Sequence, residues 1–156
     1  MPMNSLVVAA LAALSVDVYT MDQGAHPFER FGHAAICVVD EGRPDRSRCY
    51  NYGTTDFGSP PAELGWRFLR GDAEFWVSVW PVDRMEAAYA RADRTMWRQR
   101  LPLTPAEVDA IRAALEHDAQ PEHRRYRYHH FLDNCSTRVR DVVDAGTQGR
   151  LTRAAD

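Results

Sequence analysis

The sequence predicts an α+β domain in which helices pack against a small, mostly antiparallel sheet. Residues 16–21 and 74–80 alternate apolar and polar side chains, which is typical of strands with one buried face. Residues 32–53 indicate an antiparallel hairpin, because two apolar runs flank a turn that contains glycine and proline. Residues 103–115 combine a helix start signal with the spacing of an apolar helix face. We therefore expect the sheet and the helices to share one core.

Length and composition are those of a single globular domain. The chain has 156 residues, of which 45% are hydrophobic and 26% charged, and these values suit one core. We place the domain at residues 16–150, with a candidate signal peptide or apolar leader at 1–15 and a tail at 151–156. The net charge is -3, and the 19 basic residues, all arginine, form no stripe. Nucleic acid is therefore not an expected partner, and the composition leaves the oligomeric state open.

The prediction of a leader is based on residues 6–16, a run of 11 residues that are almost all apolar. This run is too short to cross a bilayer. It has the length of the apolar part of a signal peptide, with small residues near its end. It lacks the basic residue that normally precedes such a run, and a buried first strand or helix is the alternative.

The remaining elements follow in order along the chain. After the first strand we expect strands at 33–39, 49–53 and 74–80, helices at 60–71 and 82–93, and an extended segment at 96–101. The helix at 103–115 begins with Thr104 as N-cap, Pro105 in the first helical position and Glu107 closing a capping box. A last helix at 135–145 ends at Gly146.

Cys135 is the strongest candidate for chemistry, because it follows Asp133 and Asn134, two good capping residues. It therefore lies in the first turn of the last helix, where the helix dipole and free N–H groups stabilise an anion. This position favours a thiolate nucleophile, and the same N–H groups could stabilise an oxyanion on an attacked carbonyl. The alternative is a buried structural cysteine, a common role for this residue type.

A nucleophilic cysteine needs a base, and the chain contains 6 histidines. His33 begins an apolar strand directly after Gly32, whose missing side chain would let another segment approach the imidazole. A strand-borne histidine facing a helix-borne cysteine is the pair used by papain-like enzymes, although a histidine satisfied within the core is the alternative. His129 and His130 are expected to flank the site. The other candidates lie in a loop or in a charged segment: His26, His117 and His123.

The other cysteines, Cys37 and Cys49, lie on predicted neighbouring strands, so a disulfide between them is conceivable. The total of 3 is odd, so a disulfide framework cannot include every cysteine, and Cys135 would then remain a free thiol. There is no C-x-x-C pair, and no set of His, Cys and carboxylate residues has ligand spacing. We therefore expect neither a metal nor another cofactor.

Five blocks occur together in an order and spacing that resemble a known family: FERFGHAAICV, YNYGTTDF, FLRGDAEFWV, LPLTPAEVDAI and YRYHHFLDNCSTRVRD. They resemble the N-terminal periplasmic domain of Lnb-type bacterial proteins over residues 16–150. The resemblance implies a papain-like fold in circularly permuted order, histidine before cysteine, similar to that of the NlpC-type amidases and the lecithin:retinol acyltransferase group. It also implies a periplasmic or cell-envelope location.

Members characterised as Lnb are lipoprotein N-acyltransferases, which move an acyl chain from a phospholipid to the amino group of a lipoprotein's N-terminal cysteine. The family's cysteine falls on Cys135 and its histidine on His33. The resemblance thus implies attack of a thiolate on a phospholipid ester, a thioester intermediate, and transfer of the chain to an amine whose proton His33 takes. The implied partners are phospholipid, a lipoprotein N-terminus and the membrane surface.

A third polar group usually orients the histidine ring. Asn51 and Tyr52 lie on the next predicted strand, and alternation places only one of them on the His33 face. Asn51 is favoured, and Asp56 is a further candidate. Asn134 is expected to support the nucleophile, either in orientation or at the oxyanion.

Two features bear on the substrate. Arg138, one turn along from Cys135, could contact a lipid phosphate, although an ion pair with Asp141 is favoured. Several aromatic residues could line an acyl groove or belong to the core: Trp66, Phe68, Phe75, Trp76 and Trp80.

The sequence leaves two alternative functions open. The first is a papain-like amidase or peptidase of cell-wall peptides, which would have a polar cleft. The second is a non-catalytic, truncated binding module. The binding module predicts that His33 and Cys135 are out of reach of each other.

Overall fold

The computed structural model describes residues 14–25, 29–56, 58 and 60–155. Over these residues the protein is an α+β domain, as predicted, with one antiparallel sheet and helices on both of its faces. The strands are β1 (Leu14–Met21), β2 (His33–Asp40), β3 (Arg48–Thr54), β4 (Glu74–Pro81), β5 (Met96–Arg100) and β6 (Arg125–Arg127). The helices are α1 (Pro61–Leu69), α2 (Val82–Arg91), α3 (Pro105–Asp118), α4 (Cys135–Gly146) and α5 (Arg150–Ala155). No helix in this part of the chain is both long and apolar enough to cross a membrane.

The strand order is β5-β1-β2-β3-β4-β6, and each neighbouring pair is antiparallel. β2 and β3 therefore occupy the centre of the sheet. The predicted hairpin and strands are confirmed. β6 has no counterpart in the prediction, because two arginines around one tyrosine carry no alternation signal.

Alternation along β2 divides the core into two layers. Ala34, Ile36 and Val38 belong to the layer under α3 and α4, whereas the odd-numbered residues of β2 belong to the layer under α2. Because both faces of β2 are covered, its sequence is a continuous apolar run rather than an alternating one. The α3–α4 layer is completed mainly by residues of these helices: Val108, Ile111, Leu115, Val139, Val142 and Val143.

The ends of the domain differ from the prediction. β1 begins at Leu14, slightly before the predicted start, and residues 1–13 of the candidate leader lie outside the described residues. The residues predicted as a tail form most of α5, which packs against α4.

Helix boundaries confirm one capping signal and correct another. The capping box of Thr104 and Glu107 is present at the start of α3. Gly146, predicted as the stop of α4, is instead its last helical residue, and Thr147 is the C-cap. A Cβ on Gly146 would lie 2.3 Å from Cγ1 of Ile111. The glycine therefore allows α4 to approach α3 and does not supply a left-handed cap.

Cys37 and Cys49 form a disulfide, the pairing that the sequence left open. The two residues lie directly opposite each other in the β2–β3 ladder and are fully buried. Cys135 is the free cysteine. The disulfide thus joins the two central strands of the sheet.

The double replacement Cys37→Ala with Cys49→Ala should lower the free energy of unfolding by about 2 to 4 kcal/mol, because the bridge no longer restricts the unfolded chain. Urea denaturation followed by tryptophan fluorescence measures the change. Cys135→Ala, which leaves the disulfide intact, is the control. A double variant as stable as the wild type would contradict a stabilising role for the bridge.

Candidate active site

The candidate site lies where β2 and β3 separate. Their ladder joins residues 36–38 to residues 48–50 and does not reach His33 at the start of β2. On its other side, β3 has an irregular pairing with β4 between Asn51 and Thr54. Gly53, within this irregularity, has a φ of +94°, a conformation that favours glycine. Such irregularities redirect side chains and are frequent beside active sites.

α4 brings Cys135 to this opening. Asn134 caps the helix, since its Oδ1 accepts from the N–H groups of Ser136 and Thr137, each at 3.0 Å. In return, Asn134 N donates to Thr137 Oγ1 at 2.8 Å. A Cβ built on Gly53 would lie 3.8 Å from Cβ of Cys135. The first turn of α4 therefore lies beside β3 at Gly53, where a Cβ would make an ordinary van der Waals contact with Cys135.

His33 lies between Cys135 and Asn51. Its Nε2 is 3.2 Å from Oδ1 of Asn51. Because this oxygen can only accept, Nε2 carries a proton and donates it. Nδ1 is then the nitrogen available to the thiol, and interaction with His33 lowers the pKa of the Cys135 thiol. The amide of Asn51 selects the tautomer of the His33 ring, and His33 and Cys135 line the same pocket.

The surroundings of Cys135 favour the thiolate. Burial raises the pKa of the Cys135 thiol, but the hydrogen bond and charge of His33 lower it, and so do the N–H of Ala34 and the side chain of Ser136. The net result is a pKa below the ordinary value for cysteine. Cys135 as a residue is also partly exposed, and it lines the aromatic pocket. A lowered pKa together with exposure is the setting of a reactive cysteine.

Tyr52 is not part of this arrangement, and its predicted supporting role is corrected. The side chain is fully buried in the α3–α4 layer, and its hydroxyl donates to Oδ2 of Asp118 at 2.7 Å. Burial and this hydrogen bond raise the pKa of Tyr52 far above its ordinary value. The alternation of β3 that turns Asn51 toward His33 turns Tyr52 toward the core.

Asn134 caps the helix that begins at Cys135, and its role at the oxyanion stays a prediction. Its Nδ2 donates to the carbonyl of His130 at 2.7 Å, which uses one of the two N–H groups of this amide. The cap also takes the N–H groups of Ser136 and Thr137. Within the first three residues of α4, the cap therefore leaves the N–H of Cys135 for an oxyanion, fewer groups than the sequence suggested.

Arg138 has a structural pairing, as favoured, but with a different partner. Its guanidinium binds both carboxylate oxygens of Asp133, with Nη2 at 2.8 Å from Oδ2. It also lies 4.3 Å from the ring centre of Tyr126. Asp141 pairs with Arg140 instead. The ion pair joins the residues just before the helix to its second turn and so fixes the approach to Cys135.

The remaining polar candidates have local roles. Asp56 is exposed and accepts from the N–H of Gly58 at 2.9 Å. His117 and His123 are exposed and stack on each other with ring centres 4.0 Å apart, and His26 lies outside the described residues. Nδ1 of His129 accepts hydrogen bonds from the N–H groups of Phe131 and Leu132. Among the residues that the structure describes, no group of three or more His, Cys, Asp and Glu side chains could hold a metal ion.

An aromatic pocket of about 420 Å³ opens over Cys135 and His33. Of the aromatic residues predicted for a groove, Phe68 and Phe75 line this pocket. Trp80 lines a neighbouring cavity instead. Trp66 is largely exposed, and Trp76 packs against Arg125, so neither contributes to the walls around the thiol.

Sequence reasoning missed two aromatic residues of the pocket, Phe31 and Tyr128, whereas His130, which was expected to flank the site, also lines the pocket. The ring centre of Tyr128 is 4.4 Å from that of Phe75. Burial, followed by the charge of Cys135, raises the pKa of Tyr128 to about 12, so its hydroxyl stays protonated at neutral pH. The positions of these residues in the sequence could have indicated the pocket. Tyr128 and His130 lie within seven residues of Cys135, and Phe31 lies just before His33.

Comparison with protein families decides the relationship. The family model of the Lnb N-terminal periplasmic domain matches residues 7–155. The chain belongs to this family. Its location is accordingly periplasmic, and a buried disulfide suits that oxidising compartment. Neither the curated proteins nor the solved structures contain a match to the chain.

His33→Ala should shift the pH dependence of Cys135 alkylation to higher pH. The variant loses the hydrogen bond and charge that lower the thiol pKa, while the opposing effect of burial remains, so the thiolate fraction at neutral pH falls. Iodoacetamide labelling followed by mass spectrometry across pH gives the apparent pKa. His117→Ala, which removes an exposed histidine on α3, is the control. Identical profiles for wild type and His33→Ala would refute the pairing.

Asn51→Ala should slow alkylation of Cys135 at neutral pH roughly tenfold, a part of the effect of a positioned acid–base group. The imidazole then loses the acceptor that selects its tautomer. Asn51→Asp, which keeps an oxygen acceptor, should restore most of the rate. An unchanged rate in Asn51→Ala would remove this residue from the site.

Tyr52→Phe is the matched variant on the opposite face of β3. It should leave the alkylation rate unchanged and lower the free energy of unfolding by about 1 to 3 kcal/mol, because Asp118 loses a hydrogen bond from a buried hydroxyl. Labelling kinetics and urea denaturation measure the two effects. Slower labelling with unchanged stability would return Tyr52 to the site.

Proposed function

We propose that this protein is a thiol-dependent acyltransferase, which moves an acyl chain from a phospholipid to the N-terminal amine of a lipoprotein through a thioester on Cys135. The observation that carries the proposal is the series of Cys135, His33 and Asn51 beside an aromatic pocket: Asn51 is hydrogen-bonded to His33, and His33 lowers the pKa of the Cys135 thiol. Membership of the Lnb family and a periplasmic location support a substrate of the cell envelope.

The same series supports a permuted papain-like fold of the NlpC type. A cysteine at a helix N-terminus, a histidine on a facing strand and an asparagine behind the histidine are the three groups of papain-like catalysis. Here the histidine and asparagine precede the cysteine in the chain, which is the permuted order.

In the first half-reaction, Nδ1 of His33 takes the thiol proton and Sγ of Cys135 attacks the ester carbonyl carbon of the phospholipid. The N–H of Cys135 donates to the resulting oxyanion. The ester C–O bond then breaks, the lysolipid oxygen leaves with the proton held by His33, and the acyl group remains on Sγ as a thioester.

In the second half-reaction, the neutral α-amine of the lipoprotein attacks the thioester carbonyl. His33 takes a proton from the amine, the C–S bond breaks and an amide forms, while the sulfur leaves as a thiolate that recovers the proton from His33. The aromatic walls of the pocket favour this acceptor over water, because they limit the number of water molecules near the thioester.

The rim of the pocket supports a lipid donor. Phe31, Phe131 and Leu132 are 72%, 77% and 74% exposed. The rings of Phe31 and Phe131 lie 4.6 and 4.8 Å from the ring of His130, which lines the pocket. Exposed apolar clusters mark protein or membrane interfaces, so we propose that the membrane surface meets the protein at this rim.

The two alternative functions have less support. An amidase or peptidase of cell-wall peptides would use the same thiol, but the aromatic walls of the pocket suit an acyl chain better than a polar, extended peptide. A non-catalytic binding module predicts that His33 and Cys135 are out of reach of each other, whereas the two residues line the same pocket and His33 lowers the pKa of the Cys135 thiol.

Intact mass spectrometry after incubation with phospholipid should detect an acyl-sized adduct that hydroxylamine removes. Cys135→Ser and His33→Ala should form no adduct, and Tyr52→Phe should form the wild-type amount. Addition of a peptide with a free N-terminal amine should discharge the adduct and yield an N-acyl peptide.

Two results would contradict the proposal. Discharge at the same rate with and without the peptide would indicate a hydrolase. Absence of the adduct from a wild-type protein whose Cys135 is alkylated rapidly and in a His33-dependent way would indicate an active thiol with a different substrate.

A further inference from the structure

A second cavity lies on the other side of His33. Its volume is about 400 Å³, within the range of ligand-binding sites. It lies between the sheet and α2, and we call it the α2 cavity. Gly32, His33 and Gly53 line both this cavity and the aromatic pocket that contains Cys135. The two spaces therefore meet at the imidazole, and the mechanism proposed above leaves the α2 cavity without an occupant.

The α2 cavity depends on small side chains. Met85, Ala88, Tyr89 and Ala92 line it, and their spacing places them on one face of α2. Met85 is buried against the sheet, but the two alanines are too short to fill the space beyond it. Ligand sites are clefts of this size with mostly apolar walls, so such a cleft beside His33 and Cys135 indicates a place for a ligand.

The polar groups around the α2 cavity already bind one another. The hydroxyls of Thr54 and Ser78 are 2.7 Å apart. The guanidinium of Arg94 donates to the carboxylate of Glu29 at 3.1 Å and to the carbonyl of Asp22 at 2.6 Å. Much of the remaining surface consists of methyl, thioether and aromatic groups. These walls suit an acyl chain better than a phosphate or a peptide.

We infer that the α2 cavity holds the acyl chain of the Cys135 thioester; the inference rests on the proposed function. A thioester enzyme must retain the chain while the lysolipid leaves and the amine arrives. With the chain in the α2 cavity, the aromatic pocket is free for that exchange. Gly53 lines both spaces, and a Cβ built on it would lie 3.8 Å from Cβ of Cys135, so the chain would pass Gly53 between Sγ and the α2 cavity.

Chain-length preference tests the inference. Phospholipids with one headgroup and saturated chains from short to long are supplied together, and intact mass spectrometry gives the distribution of adducts. Ala88→Leu and Ala88→Phe fill the cavity and should shift the adducts to shorter chains, with a loss of about fourfold for each methylene that no longer fits. Trp80→Ala enlarges the cavity and should shift the adducts to longer chains.

The controls separate this effect from damage to the site. Ala87→Phe changes an exposed residue of α2 and should keep the wild-type distribution. Iodoacetamide labelling of Cys135 should have the wild-type rate in all four variants, because activation of the thiol depends on His33. An acylated Ala88→Phe protein with the wild-type distribution would overturn the inference and assign the chain to the aromatic pocket.

A binding measurement tests the cavity even if the chain transfer itself fails. Calorimetric titration of Cys135→Ser protein with a medium-chain fatty acid should give a dissociation constant that rises at least tenfold when Ala88→Phe is added and stays unchanged with Ala87→Phe. Equal affinities in the three proteins would overturn the inference. No adduct on the wild type, together with Ala88-dependent binding, would instead reject the thioester while retaining the cavity as a chain-binding site.

Discussion

The contact between the first turn of α4 and Gly53 of β3 is the constraint on which the site depends. A side chain at position 53 would come within van der Waals range of Cys135, and the positive φ of Gly53 is strained for other residues. The glycine therefore permits the irregular pairing of β3 with β4. The irregularity lies beside the first turn of α4, which carries the thiol. His33 and Asn51 reach the same place from the two central strands.

The disulfide and the opening between the strands are complementary. The bridge joins β2 to β3 at the middle of their short ladder, so the strands cannot separate there. Beyond the ladder, toward His33, they are free to diverge. The opening consequently begins at a defined place, with a rigid pair of strands on one side and the capped end of α4 on the other. Rigid supports of this kind hold reacting groups in position without needing long-range motion.

The electrostatics of Cys135 are a balance between burial and local donors. Burial disfavours the thiolate, whereas His33, the N–H of Ala34 and Ser136 favour it. The helix cap has two effects, because Asn134 fixes the helix start and also occupies two N–H groups that could otherwise bind an anion. The thiol thus depends more on the strand that carries His33 and Ala34 than a reading of α4 alone suggests. The lowered pKa of the thiol is a property of the contact between sheet and helix.

The sequence by itself determined the features that depend on near neighbours: the alternating strands, the capping box of α3 and the helix that begins at Cys135. Each follows from a pattern a few residues long. The tertiary structure decided the disulfide, the choice of Asn51 over Tyr52, the role of Gly146 and the existence of the α2 cavity. These depend on strand register and on contacts between distant segments. Local periodicity does not encode such contacts. Alternation predicts that two neighbouring residues lie on opposite faces of a strand, but tertiary packing determines which segments cover each face.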